Sequence, residues 1–405
     1  MNIYISGISG TGMGPLALMA KAAGFNVCGS DKVAGAILPE LEKAGIEVSI
    51  GEQDGEFLKS KLSDLDWFCY TSALPENHPE LVLAKEAGVK CTKRDDLTSF
   101  LVEKLGLKMV AIAGTHGKTT TTSMIIWTAL KLGLPVSYIV GTTLGFAPSG
   151  AYHEGDKFFI YEADEYDRNF LKYHPWLSVI TTVSYDHPDI YPTKEEYSSA
   201  FGQFKSQSEM IIEEPDISLE NFKLAGEARR YDAALSYEAV RKMAPDVDGT
   251  RIVEILNDFP GVGRRFERLA EGIYTDYGHH PEEISATIDV AVDEAKMRGY
   301  KGVVVVYQPH QNVRQHEVRD GYKEAFLKAD KVLWLPTYLV REDSNLPILT
   351  PEELIVGING AEAVELSDEL FSKMIELRDE GYLVMLMTAG PADEWLRKKI
   401  KQIVF

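Results

Sequence analysis

The chain has 405 residues, 45% of them hydrophobic and 26% charged, with a formal net charge of −20. That length predicts two or three domains, each able to bury its own core. The charge repels nucleic-acid phosphates and anionic lipid, and no apolar run approaches the roughly 18 residues of a membrane span, so neither a nucleic-acid partner nor membrane insertion is expected.

Met1 leads directly into the strand-like Ile3-Tyr4-Ile5 without a basic flank, which predicts a cytoplasmic protein. Cys28, Cys69 and Cys91 have no metal-like spacing, and their odd number suits a reducing compartment in which they act as small hydrophobes.

In chain order, short apolar strands alternate with helical stretches, the pattern of an α/β protein with parallel sheets. Strands are predicted at Asn2–Ser6, Asn26–Gly29 and Trp67–Thr71. Between the first two, Gly7-Ile8-Ser9-Gly10-Thr11-Gly12-Met13-Gly14 joins strand to helix, and Asp31 ends the second. The glycines read G-x-x-G-x-G, and Pro15 stands at the third position of the dinucleotide fingerprint. The segment therefore reads either as a nucleotide-diphosphate loop or as a tight turn. Gly10, Thr11, Gly12 and Met13 are the candidate diphosphate contacts, with Asp31 as acceptor for a ribose hydroxyl.

A second start lies at Met109–Ala113, a buried-type strand feeding Gly114-Thr115-His116-Gly117-Lys118-Thr119-Thr120 and then a helix over Thr119–Leu132. Glycines let backbone N–H groups approach a polyphosphate, and the helix N-terminus adds partial positive charge. Lys118 can reach the β/γ oxygens and the Thr119 hydroxyl can hold Mg²⁺, although Ile112 occupies the place of the first P-loop glycine. These seven residues are the candidate ATP loop.

Two further strands, Phe158–Glu162 and Val179–Val183, lead into Glu162-Ala163-Asp164-Glu165-Tyr166-Asp167 and Asp186-His187. Carboxylates at the carboxyl edge of the sheet that carries a phosphate loop suit Mg²⁺, so Thr119, Glu162 and His187 are the candidate metal ligands. Lys118, Glu162 and His187 are the candidate catalytic groups.

Asn257–Gly263 breaks any helix and suits a hinge. Beyond it, strands are predicted at Gly302–Tyr307, Lys331–Leu335 and Tyr382–Met387. Arg264-Arg265-Phe266, Asp276-Tyr277-Gly278-His279-His280-Pro281 and Gln308-Pro309-His310 gather polar groups after successive strands. A surface arginine pair and a helix start at His279-His280 are the bland alternatives.

Together these motifs resemble the Mur ligases nearly end to end, the phosphate loop being the most specific. The branch resembled most joins L-alanine to UDP-N-acetylmuramate. The resemblance implies three consecutive α/β domains: a Rossmann-like UDP-sugar domain over 1–105, a shortened P-loop ATP domain over 106–262, and a Rossmann-like ligase domain over 263–405. It implies an ATP-dependent carbon–nitrogen ligase of peptidoglycan precursor synthesis that uses Mg²⁺, as a monomer or weak homodimer. It also implies that Ser72 belongs to the UDP-sugar site, that Asp276 and Arg314 contact the ATP nucleotide, and that Arg265, His279, His280 and His310 stand on the amino-substrate side.

Departures are informative. Glu165-Tyr166-Asp167 and Asp186–Tyr191 are closer to the recycling branch, which attaches a preformed tripeptide to the same sugar nucleotide. Thr182 replaces a usual Asn, and Gly226–Asp232 replaces a stretch that helps hold adenine. Lys205 is the nearest candidate for the carbamylated lysine of other members. Two rival readings are a nicotinamide-dependent oxidoreductase, opposed by the broken fingerprint and the second phosphate loop, and a degenerate nucleotide-binding switch.

Overall fold

The computed structural model describes residues 1–71, 74–185, 190–340, 342 and 345–403. Ser72, Asp186 and His187 lie outside these. The chain forms two compact units, one of residues 1–222 with 231–259 and the other of 223–230 with 260–405. Three mostly parallel sheets, each with helices between its strands, give the expected α/β class.

The first sheet contains β1 (Asn2–Ser6), β2 (Asn26–Asp31), β3 (Glu47–Ile50), β4 (Trp67–Tyr70) and β5 (Lys90–Lys93) in the order β3-β2-β1-β4-β5, all parallel. The strand order reverses beside β1, so the loop after β1 opens at the sheet's switch point, where such folds bind ligands. Side chains alternate across β1: Ile3 and Ile5 enter one core while Tyr4 enters another.

The second sheet, in the same unit, contains β6 (Lys108–Ala113), β7 (Val136–Ile139), β8 (Gly150–Ala151), β9 (Phe158–Glu162), β10 (Leu177–Ile180) and β11 (Met210–Ile212). Their order is β11-β10-β6-β9-β7-β8, and only the β7/β8 pair is antiparallel. β6 stands between β9 and β10, so the ends of these three strands converge on the phosphate loop. The two sheets share one continuous core. Gly150 fits tightly there, since a Cβ on it would come within 2.1 Å of the Pro15 carbonyl oxygen.

The other unit holds β12 (Glu267–Ala270), β13 (Ile273–Asp276), β14 (Val303–Gln308), β15 (Lys331–Trp334), β16 (Ala361–Ala363) and β17 (Leu383–Thr388). The order is β12-β13-β17-β14-β15-β16, with β12/β13 antiparallel and the other pairs parallel. Its sheet is covered on both faces: Val303, Val305 and Tyr307 pack into one cluster, Val304 and Val306 into the other.

The strand expected over Val179–Val183 is displaced to Leu177–Ile180. Past Ile180, Thr181 N donates to the Ala113 carbonyl of β6 while the Thr181 and Thr182 hydroxyls bond to the phosphate loop. Among the described residues, no helix is long and apolar enough to cross a membrane.

Candidate active site

The phosphate loop is shaped by two glycines with positive φ. Gly114 has φ +141, and a Cβ there would lie 2.1 Å from Thr181 Oγ1; Gly117 has φ +86, and a Cβ would lie 2.6 Å from Asp232 Oδ1. Both conditions exclude other residues. Gly117 is the N-cap of the helix Lys118–Lys131 and supplies no side-chain cap, so the first-turn N–H groups face the loop.

The residues after β10 fasten the loop. Thr115 N donates to the Thr182 carbonyl at 2.7 Å, Thr115 Oγ1 donates to the Ser184 carbonyl at 2.7 Å and lies 2.8 Å from Tyr197 Oη, and both Thr181 and Thr182 hydroxyls donate to the His116 carbonyl. Thr182, unusual in the sequence, thus has a definite task in holding the loop.

Lys118 is mostly buried and already paired. Its Nζ donates to both oxygens of Glu165, at 2.9 and 2.8 Å, and to the Gly114 carbonyl. The side chains are only 15% and 1% exposed. Burial raises the pKa of Glu165, outweighing the lowering by Lys118. The backbone beyond is strained: Asp167 and Arg168 have φ +53 and +56. Glu165 is further fixed through its carbonyl, which accepts the Tyr191 hydroxyl at 2.6 Å.

Thr119 Oγ1 donates to Glu162 Oε1 at 2.9 Å. A helix-start hydroxyl beside a strand-end carboxylate gives two hard oxygen ligands, and Mg²⁺ commonly takes few protein ligands, filling its shell with phosphate oxygens and water. The residues present therefore fit Mg²⁺, although no group of three His, Cys, Asp or Glu side chains among the described residues could hold a metal.

In the first sheet, the loop after β1 hangs on β2. Gly7 N and Ile8 N donate to the Ser30 carbonyl at 2.8 and 3.1 Å, and Ser9 N donates to Asp31 Oδ2 at 2.8 Å. Beneath it the buried Glu80 accepts the hydroxyls of Tyr4, Ser6 and Ser30. Gly14 performs the packing task that the fingerprint gives its third glycine, since a Cβ would meet Ile37 Cγ2 at 2.7 Å. Gly10 and Thr11 are exposed and Gly12 half-buried, whereas the Met13 side chain is in the core.

In the other unit, Arg265 and His279 pack against Tyr277, His280 and His310 adjoin His279, and Arg314 adjoins His310. The Arg264 and Arg265 guanidinium groups lie 4.7 and 5.5 Å from the Tyr277 ring centre. The His279 ring is 5.9 Å from that of His310, and Arg314 Nη1 is 3.1 Å from His310 Nδ1. Burial lowers the pKa of both His279 and His310, so each is largely neutral at pH 7. Strain recurs here, with φ +58 at Arg264, +47 at Phe266 and +65 at Gln311.

The sequence matches the "Mur ligase family, catalytic domain" model over residues 2–104 and the "Mur ligase middle domain" model over residues 112–239. A relative from Campylobacter jejuni subsp. doylei, UDP-N-acetylmuramate–L-alanine ligase, is 30% identical, covering 88% of this chain and 90% of its own length. The chain belongs to the Mur ligase family. It is accordingly an ATP-dependent ligase. Among solved folds, UDP-N-acetylmuramate-alanine ligase from Thermotoga maritima matches with TM-score 0.78 at 22% identity, over 100% of this chain and 99% of that one. A murein peptide ligase from Psychrobacter arcticus 273-4 matches with TM-score 0.61 at 22% identity, over 100% and 98%.

Several of this Mur ligase's polar groups serve the fold as well. Asp276 is buried; its Oδ2 accepts Phe266 N and its Oδ1 accepts Gly278 N, both at 2.7 Å, with Thr287 Oγ1 at 3.2 Å. Burial raises its pKa. His280 starts the helix Pro281–Arg298, and Glu283 accepts the N–H groups of His279 and His280 at 3.0 and 3.2 Å. Lys205 pairs with Glu213 at 2.7 Å. Sequence reasoning missed Asp232 beside Gly117, the Lys118–Glu165 pair, and Arg94, which packs on Gly12.

Proposed function

We propose that this Mur ligase joins L-alanine to the lactyl carboxylate of UDP-N-acetylmuramate, using ATP and Mg²⁺, as a step in peptidoglycan precursor synthesis. The observation that carries the reading is the convergence of Lys118, Thr119 and Glu162 on the phosphate-loop helix. The Campylobacter relative's name supplies the substrates.

A carboxylate is a poor acyl donor. Its oxygen attacks the γ-phosphorus, ADP departs, and the resulting acyl phosphate is attacked by the amine with release of inorganic phosphate. The phosphate loop positions the γ-phosphoryl group and Lys118 stabilises its transferring charge. Thr119 and Glu162, with His187, would hold Mg²⁺, which neutralises charge on the nucleotide's phosphate oxygens. Lys118 must first exchange Glu165 for phosphate oxygens. The three-part division at 105/106 and 262/263 belongs to this proposal, with the diphosphate at Gly10, Thr11 and Gly12, and the amine beside His279, His280, His310 and Arg265. Asp276 and Arg314 on the nucleotide are likewise proposed; for Asp276 this needs its carboxylate to add a ligand bond to those it already makes.

One observation favours a second reading. Glu165-Tyr166-Asp167 resembles the tripeptide-adding pattern, and Glu165 pairs with Lys118. Phosphate release with ATP, Mg²⁺ and UDP-N-acetylmuramate separates the two: L-alanine is expected to give higher kcat/KM than glycine, L-serine or the tripeptide, and a clear win for the tripeptide would reject the L-alanine assignment.

A further inference from the structure

We propose that Arg94 is the side chain that grips the diphosphate of the UDP-sugar, reaching it through its Nη1 from the β5 end of the first sheet. The proposal rests on the assignment of the Gly10–Gly12 loop to the UDP-sugar.

Arg94 opens the helix Arg94–Lys104, directly after β5. Its Nε and Nη2 both donate to Asp95 Oδ1, at 3.3 and 3.2 Å. Asp95 is itself anchored: its Oδ1 accepts Tyr173 Oη at 2.7 Å and Tyr161 Oη at 3.2 Å, and its side chain is only 4% exposed. One edge of the guanidinium is thereby fixed, and no hydrogen bond among the described residues occupies Nη1. That nitrogen lies over Gly12, 2.6 Å from where a Cβ would stand.

Gly12 has φ −94, an ordinary conformation for any residue. Its lack of a side chain is therefore needed for space, and the space is taken by the guanidinium. At the same point the helix Met13–Ala22 begins, so a fixed cation and a helix N-terminus meet on one side of an exposed loop. A planar donor already oriented by a neighbouring carboxylate loses little entropy on binding, and matches phosphate oxygens better than an ammonium would.

The pair has no evident structural justification of equal weight. A buried ion pair returns little net stability after its desolvation cost, and the tyrosine hydroxyls already serve Asp95. The electrostatic neighbourhood also includes Asp164, beyond β9. Arg94 thus lies near both the loop of the first sheet and Asp164 of the acidic segment that follows β9.

The test is calorimetry on the full chain with UDP, UMP, ADP and UDP-N-acetylmuramate as probes, comparing wild type with Arg94→Met, Arg94→Lys, Gly12→Ala and the double variant Gly12→Ala/Arg94→Met. Loss of one charge-assisted contact should weaken UDP by about 10–100-fold in Arg94→Met. UMP and ADP should stay within about twofold, and Arg94→Lys should be intermediate. Gly12→Ala keeps the backbone conformation and sets a Cβ against the guanidinium; a Cβ that met the diphosphate directly would add its own loss to that of Arg94→Met. Gly12→Ala should reproduce the UDP defect, and adding it to Arg94→Met should cost little more. Unchanged UDP affinity in Arg94→Met and Gly12→Ala, or an equal loss for UMP, would overturn the proposal. So would a defect seen with UDP-N-acetylmuramate but absent with UDP, which would place Arg94 on the carboxylate. Wild-type protein that binds ADP but not UDP would instead reject the loop's assignment itself.

Discussion

Replacing Lys118 by Met should cost stability as well as activity, because the ammonium is the counter-ion of a carboxylate that is 1% exposed. Removing one partner of a buried pair strands the other, at about 3–5 kcal/mol when both are fully enclosed. Lys118 is 15% exposed, so the lower end, about 3 kcal/mol, is the expectation. The cost should depend on pH. Burial already holds the folded pKa of Glu165 above its unfolded value, so its ionisation opposes folding above that pKa, and the penalty is relieved as pH falls. Loss of Lys118 removes the influence that lowers this pKa and extends the penalty upward in pH. Urea unfolding at pH 8 should therefore show the full loss and at pH 5 less than about half of it, once Glu165 is protonated. The double variant Lys118→Met/Glu165→Gln should regain most of the stability at pH 8. Turnover should stay down by about a thousandfold in both, since neither restores the cation proposed to stabilise the transferring phosphate. A destabilisation independent of pH, or a double variant as unstable as the single one, would refute the reasoning.

Other outcomes follow from the same geometry. Thr119→Ala should weaken Mg²⁺-dependent nucleotide binding by about tenfold while metal-free ADP binding changes little, as titration with and without Mg²⁺ will show. Asp276→Asn should destabilise by about 1–3 kcal/mol in urea unfolding, because an amide group cannot accept both the Phe266 and Gly278 N–H groups. His279 and His310 have folded pKa values below their ordinary value, so the unfolded chain binds more protons and stability falls as pH drops below about 6.5. His310→Gln should flatten that decline between about pH 6.5 and 5, and an unchanged slope would remove His310 from the account.

The phosphate loop was legible because its chemistry is local: a buried strand, two glycines, Lys118 and Thr119 within one turn. The parallel sheets were legible for the same reason where strands are apolar, as at Val303–Tyr307. β3 and β5 were not, since Glu47–Ile50 and Lys90–Lys93 are short and only partly buried and carry no hydrophobic run. The Lys118–Glu165 pair spans 47 positions, and Arg94 meets Gly12 from another strand end, contacts that no spacing announces. Gly12 has an ordinary φ, and only the structure shows that the Arg94 guanidinium occupies the space its side chain would take. Asp276 shows the opposite failure. A strand-end carboxylate reads as a ligand contact, but turns need acceptors too, and only the structure reveals that both oxygens are engaged.

The central claim is that the sugar nucleotide's carboxylate is activated as an acyl phosphate in this chain. Following a heavy-oxygen label from that carboxylate during turnover with ATP, Mg²⁺ and L-alanine tests it most directly. The account predicts one labelled oxygen in the released inorganic phosphate for each amide bond formed; label retained wholly in the amide product and water would contradict it.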